Sequence, residues 1–227
     1  MKQLRFYFDV VSPYAYLAFE RLPQALVGLS VEVSYQPVLF AGLLAHWGNL
    51  GPAEIQPKRA WTYRQVAWLA HRQGVRLDLP AQHPFNPLAL LRLALACVPE
   101  AGEGARLVTP SRRVCERLFH HVWHSGEDAN DAQRLAALHA ALQPVRDPHG
   151  NAVRNALREA TTAAAERGVF GVPAIEVDGR MFWGLDSIDM LAAYLAGDSW
   201  FEGPDWEAAG HQRAGVERKA RPEPPVP

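Results

Sequence analysis

Residues 6–22, FYFDVVSPYAYLAFERL, decide how the rest of the chain is read. Phe6, Tyr7, Phe8, Val10 and Val11 make an aromatic and β-branched run suited to a strand. From Leu17 the apolar residues recur at helical spacing. Ser12-Pro13 lies between the two. Proline suits the first helical position, where no N–H is needed. Ser12 then falls at or beside the N-cap, its hydroxyl next to unpaired backbone N–H groups and the positive end of the helix dipole. Such a junction can hold phosphate, carboxylate or thiolate. The stretch alone fits a simple helix cap as well as an anion site.

Working outward, a helix over Leu17 to Leu26 and a turn at Gly28 lead to a second strand. There Val31, Val33 and Tyr35 alternate with Glu32, Ser34 and Gln36, and Pro37 closes the run. This β-α-β unit is compatible with parallel strands if the crossover is right-handed. From Phe40 the pattern turns helical: a short helix and a Gly/Pro-interrupted loop, a run from Pro57 stopping at Gly74, and further helices ending at Gly168. The block amounts to about five helices, and several of the seven tryptophans fall where helices should pack. Strand character returns in VFGVPAIEVDGRMFW, a hairpin by its Asp178-Gly179 turn. A helix follows, with Asp186 or Ser187 available as its cap.

The order β-α-β, helices, β-β-α matches an α/β thioredoxin-like fold carrying a large all-helical insertion. The expected division is a discontinuous thioredoxin-like domain, 1–38 and 166–202, with the helical insertion at 39–165. The segment 203–227, rich in charge, Gly and Pro, is expected to be extended or disordered.

Composition narrows the function. The chain has 227 residues, 48% hydrophobic and 21% charged, with a net charge of -1. That balance gives no support to nucleic-acid or anionic-membrane binding. No apolar run approaches the roughly 18–20 residues that span a bilayer. The N-terminus lacks the apolar core and cleavage site of a signal peptide, so a cytoplasmic protein is expected. Cys97 and Cys115 form no CxxC pair and read as buried or half-buried apolar residues. His120 and His124 stand at i, i+4, but no carboxylate completes a metal motif, and interhelical or surface hydrogen bonding is expected.

FDVVSPYAYLA at 8–18 and GVFGVPAIEVDGRMFWGLDS at 168–187 resemble the two signature segments of 2-hydroxychromene-2-carboxylate isomerases, and are similar to those of kappa-class glutathione transferases. The likeness continues through Asn49 and Lys58, the HPFN segment at 83–86, LLRLALA at 90–96 and VWHSGEDANDAQRLAAL at 122–138. It implies a thioredoxin-like, disulfide-oxidoreductase-type fold that uses glutathione, with a small-molecule aromatic carboxylate as substrate, in a homodimer of aromatic-compound catabolism.

Where related oxidoreductases place CxxC, this chain has Ser12-Pro13-Tyr14-Ala15, so the sulfur must be brought in. The resemblance implies that Ser12 holds glutathione's thiolate. Bringing a thiol pKa to neutrality takes about 2 kcal/mol, within reach of one charge-assisted hydrogen bond and a helix end. It implies further that Val172-Pro173 is cis and offers the Val172 backbone groups to the cysteinyl residue. Asp186 would take the γ-glutamyl ammonium and Ser187 its carboxylate, though many isomerases have Arg where Ser187 stands, and Leu185 replaces a commonly polar residue. Asn49 and Lys58 would serve the glycyl carboxylate or an acidic substrate. The same residues have plain readings: strand start for Pro173, helix capping for Asp186 and Ser187, exposed surface for Asn49 and Lys58. The alternatives to an isomerase are a kappa-like transferase or peroxidase, and a non-catalytic binding protein on the same scaffold.

Overall fold

The computed structural model describes residues 1–100, 109–211 and 215. Strands β1 (Lys2–Phe8), β2 (Val31–Pro37), β3 (Ala174–Val177) and β4 (Arg180–Trp183) form one sheet in the order β2-β1-β3-β4. β1 pairs parallel with β2 and antiparallel with β3, and β4 returns antiparallel on β3. β1 is therefore central and covered on both faces. Leu4, Phe6 and Phe8 point to one side, where Phe8 meets Phe119 with ring centroids 5.3 Å apart. Tyr7 points to the other, into a cluster with Val38, Leu43, Ala164 and Ala165. Burial on both faces explains why β1 reads as a continuous apolar run, not an alternating one.

Helix α1 (Pro13–Ala25) starts directly after Ser12, four residues earlier than the apolar spacing suggested. Pro13, Ala15 and Tyr16 are already helical and buried, because the first turn packs inward where the sequence showed mainly its Pro. The insertion contains α2 (Phe40–Trp47), α3 (Gln56–Gln73), α4 (Leu88–Ala96), α5 (Arg112–Trp123), α6 (Ala132–Leu142) and α7 (Asn151–Glu166). α3 ends where expected, on Gly74 in the left-handed conformation. One contact between insertion and sheet domain is aromatic: Tyr16 and Phe19 of α1 pack on Phe119 and Trp123 of α5.

The tryptophans correct an expectation. Trp123 is fully buried and donates its indole N–H to the Val10 carbonyl at 3.1 Å. Trp47, Trp61, Trp68, Trp183 and Trp200 are all substantially exposed, so most do not mark helix packing. The chain ends differently as well. After α8 (Ile188–Leu195), Pro204–Gly210 forms helix α9, with Trp206 against Phe182 and Phe201, where an extended or disordered tail was expected. Apolar docking of Trp206 supplies the order that local composition does not. The remainder of that tail, apart from His211 and Gly215, lies outside the described residues.

Cys115 is buried and Cys97 half-buried, both as free thiols, and burial pushes the Cys115 thiol well up. The histidines bridge α5 to α1: His120 Nε2 lies 3.1 Å from Glu20 Oε1, and His124 Nε2 lies 2.7 Å from the Tyr16 hydroxyl. Among the described residues no helix is long and apolar enough to cross a membrane.

Candidate active site

The β1–α1 junction is tied down from several directions. Ser12 has extended backbone, caps α1 by accepting the Ala15 N–H at 3.2 Å, and is only 6% exposed. Its hydroxyl donates across the site to the Val172 carbonyl at 3.3 Å. Val172-Pro173 is cis. The anion-binding capacity of this helix start is smaller than the sequence suggested. Pro13 has no N–H and Ala15 spends its own on Ser12, so within the first three helical residues Tyr14 alone keeps an N–H with no partner among the described residues. One hydroxyl and one N–H remain.

Val11, directly before Ser12, is clamped at both backbone groups. Its N–H donates to Asp9 Oδ1 at 3.0 Å, and its carbonyl lies 2.6 Å from His83 Nε2. The other Asp9 oxygen accepts the Phe40 N–H of α2 at 2.9 Å, so one carboxylate joins the sheet domain to the insertion. α2 has no side-chain cap of its own, and Asp9 supplies that role from another element. Complete burial pushes the Asp9 carboxyl up to about 7, against the pull of its two N–H donors. His83 precedes a second cis proline, Pro84, and its Nδ1 faces the Tyr63 hydroxyl at 2.8 Å. Burial lowers its pKa, and because the Val11 carbonyl can only accept, Nε2 is the ring nitrogen that donates to it.

Ser12 opens onto a cavity of about 780 Å³, within the usual range of small-molecule sites. One wall comes from the sheet domain, with Ser12, Tyr14, Phe170, Gly171, Val172 and Trp183. The insertion supplies the other, including Phe40, Leu44, Asn49, Leu50 and Phe85. The lining is largely apolar and, among the described residues, includes no Lys or Arg. Its acidic members are the buried Asp9 and the exposed Glu54, and Glu54 accepts the Gly51 N–H at 2.6 Å.

The structure brings Ser12, Val172 and Asn49 together on this cavity and leaves four sequence candidates outside its lining. Pro173 lies just behind Val172 in the cis bond. Lys58 is exposed in the first turn of α3. Asp186 is exposed in a 3-10 turn, Leu185–Ser187, ahead of α8. Ser187 is buried, and its hydroxyl donates to the Gly184 carbonyl at 2.9 Å. The capping expectation fails for both residues, because neither side chain bonds to an α8 N–H.

Asp9, His83 and Thr62 were missed. Asp9 had a legible signal, a lone acid inside an apolar strand end, which is costly unless its partners are fixed. Thr62 had none, and His83 had only its place in the HPFN segment of the resemblance. A threonine within a helical run and a histidine in a proline-rich connection reach the cavity only through the path of the insertion.

With this geometry in view, the class is defined by a match of residues 3–196 to the DSBA-like thioredoxin domain: the chain belongs to that family. It is 29% identical over 204 residues to 2-hydroxychromene-2-carboxylate isomerase of Sphingobium xenophagum, covering 86% of this chain and 98% of that protein. It is 28% identical over 217 residues to glutathione S-transferase kappa 1 of Rattus norvegicus, covering 87% and 92%. A solved structure of 2-hydroxychromene-2-carboxylate isomerase superposes with a TM-score of 0.71 at 25% identity, covering 86% of this chain and 94% of that one.

Proposed function

We propose that this protein is a glutathione-dependent isomerase of the 2-hydroxychromene-2-carboxylate type, interconverting the chromene and the trans-benzylidenepyruvate. The observation that carries the reading is the Ser12 hydroxyl, set where a family sulfur would stand and 3.3 Å from the carbonyl preceding a cis proline, on an open cavity. Glutathione, when bound, supplies a thiolate that adds to an electron-poor carbon and leaves again.

The chain's own residues fit that ligand in part. Ser12 has one proton to donate. Turning it from the Val172 carbonyl toward sulfur frees that carbonyl to accept a peptide N–H, so the exchange leaves no buried polar group unpaired. The Tyr14 N–H adds a second donor at the helix start. Asn49 is placed to donate to a carboxylate from the insertion wall, and the exposed Asp186 carboxylate is available for an ammonium. Ser187 fits poorly, since its hydroxyl is engaged with Gly184. The carboxylate would then depend on the N–H groups of that turn.

A second reading, conjugation of glutathione to an uncharged acceptor, is favoured by the apolar lining, which has no Lys or Arg among the described residues. In either case the protein acts as a soluble-ligand enzyme in the cytoplasm, as a homodimer.

Titration calorimetry with reduced glutathione tests the shared premise, and absence of binding at millimolar concentration would sink both readings. In Ser12→Ala the thiolate absorbance near neutral pH is expected to disappear, with turnover falling about 100-fold, the usual loss for one preorganised donor. An unchanged thiol titration would remove Ser12 from its role. Turnover of a hydroxychromene carboxylate without consumption of glutathione separates isomerase from transferase.

A further inference from the structure

Trp183 ends β4 and is 53% exposed, in a strand whose preceding residue, Phe182, is buried among Tyr194, Phe201 and Trp206. Strand alternation sends Trp183 to the opposite face. It pairs with Ala174, the residue after the cis proline, and so stands beside Val172-Pro173. Its indole crosses Gly171 so closely that a Cβ there would lie 2.8 Å from the indole nitrogen. Phe170 braces it with ring centroids 4.8 Å apart. Phe170, Gly171, Val172 and Trp183 all line the cavity that Ser12 opens onto. The Trp183 N–H has no hydrogen-bond partner among the described residues, unlike those of Trp47 and Trp123.

We propose that Trp183, laid over Gly171 and braced by Phe170, is the specificity-determining wall on which the planar aromatic part of the second substrate stacks. This rests on the glutathione reading, which puts the reacting sulfur next to Val172. The indole face supplies the stacking area, and its unused N–H pairs with an oxygen substituent on the ring. Gly171 is glycine because the indole occupies the space of its side chain; the indole is rigid, so a Cβ must displace it. An exposed aromatic pair otherwise marks an interface, and the test includes that outcome.

The experiment compares two thioethers that share the tripeptide, S-methylglutathione and S-(2,4-dinitrophenyl)glutathione, by calorimetry on the full chain. Wild type is expected to prefer the dinitrophenyl compound by about five- to tenfold, the scale of one aromatic contact. The preference collapses toward unity in Trp183→Leu and in Gly171→Ala, while S-methylglutathione binds within twofold of wild type. Trp183→Phe restores most of it. An undiminished preference in Trp183→Leu overturns the wall and leaves the glutathione reading standing. Failure of wild type to bind either thioether overturns the glutathione reading and the wall with it. A change in sedimentation coefficient in Trp183→Leu, with the preference intact, assigns the aromatic pair to an interface between copies and overturns the proposal.

Discussion

Helices α1 and α8 begin with the same kind of residue, a serine after a strand, and the fold uses the two starts in different ways. Ser12 caps α1, reaches across to Val172 and borders the cavity. Ser187 stands at the N-cap position of α8 without bonding to it, and its hydroxyl turns back to Gly184. The difference comes from what precedes each serine. α1 follows the central strand, and Val11 is held by Asp9 and His83 so that the backbone leading into Ser12 is fixed. α8 follows a 3-10 turn entered through Gly184 at φ 91°, where a Cβ would also meet Asp186 Oδ1. That glycine turns the chain away from capping geometry and leaves the Asp186 carboxylate outward. One start is fixed beside the cavity by partners from other elements, and the other leaves an exposed carboxylate outside its lining.

Three substitutions break or sharpen this contrast. The largest effect is expected at Asp9, which fixes the first start. Its folded pKa of about 7 stands above the ordinary 3.8, so the folded state binds more protons between those values. The stability contributed by the protonated carboxyl is full below pH 4 and is lost as pH rises through 7. The fall approaches about 1.4 kcal/mol per pH unit for one group. Asp9→Asn should flatten that part of the profile in urea melts at stepped pH. A slope unchanged by the substitution would mean Asp9 does not carry it. A smaller effect is expected at the second start: Asp186→Asn should weaken glutathione about tenfold by calorimetry, through loss of a charge-assisted hydrogen bond to the ammonium. Equal affinity would remove Asp186 from the ligand surface and make the two helix starts functionally unrelated. Lys58→Ala should do least, about twofold or less on affinity, because an exposed cation off the cavity lining is screened. A tenfold loss there would show that the ligand extends beyond the cavity to α3.

An ionised carboxylate held only by two backbone N–H groups is a costly way to join two elements. The Asp9 bridge from Val11 to Phe40 holds the approach to Ser12 and the α2 wall together, at the expense of stability above neutral pH.

The sequence by itself determined the fold and the centre of the site. A continuous apolar strand, a Ser-Pro junction, a Val-Pro before an Asp-Gly hairpin and a helical block between them are local patterns, each set by backbone and burial preferences of neighbouring residues. Ser12 was legible for that reason, whereas Val172 entered through the family resemblance. The tertiary structure decided what depends on distant segments meeting. It turned Ser187 inward, left Lys58 off the cavity, built the cavity's two walls from the sheet domain and the insertion, and ordered α9 through Trp206. Side-chain direction and hydrogen-bond partners are set by packing across the chain, and local composition carries no record of which residues will face each other.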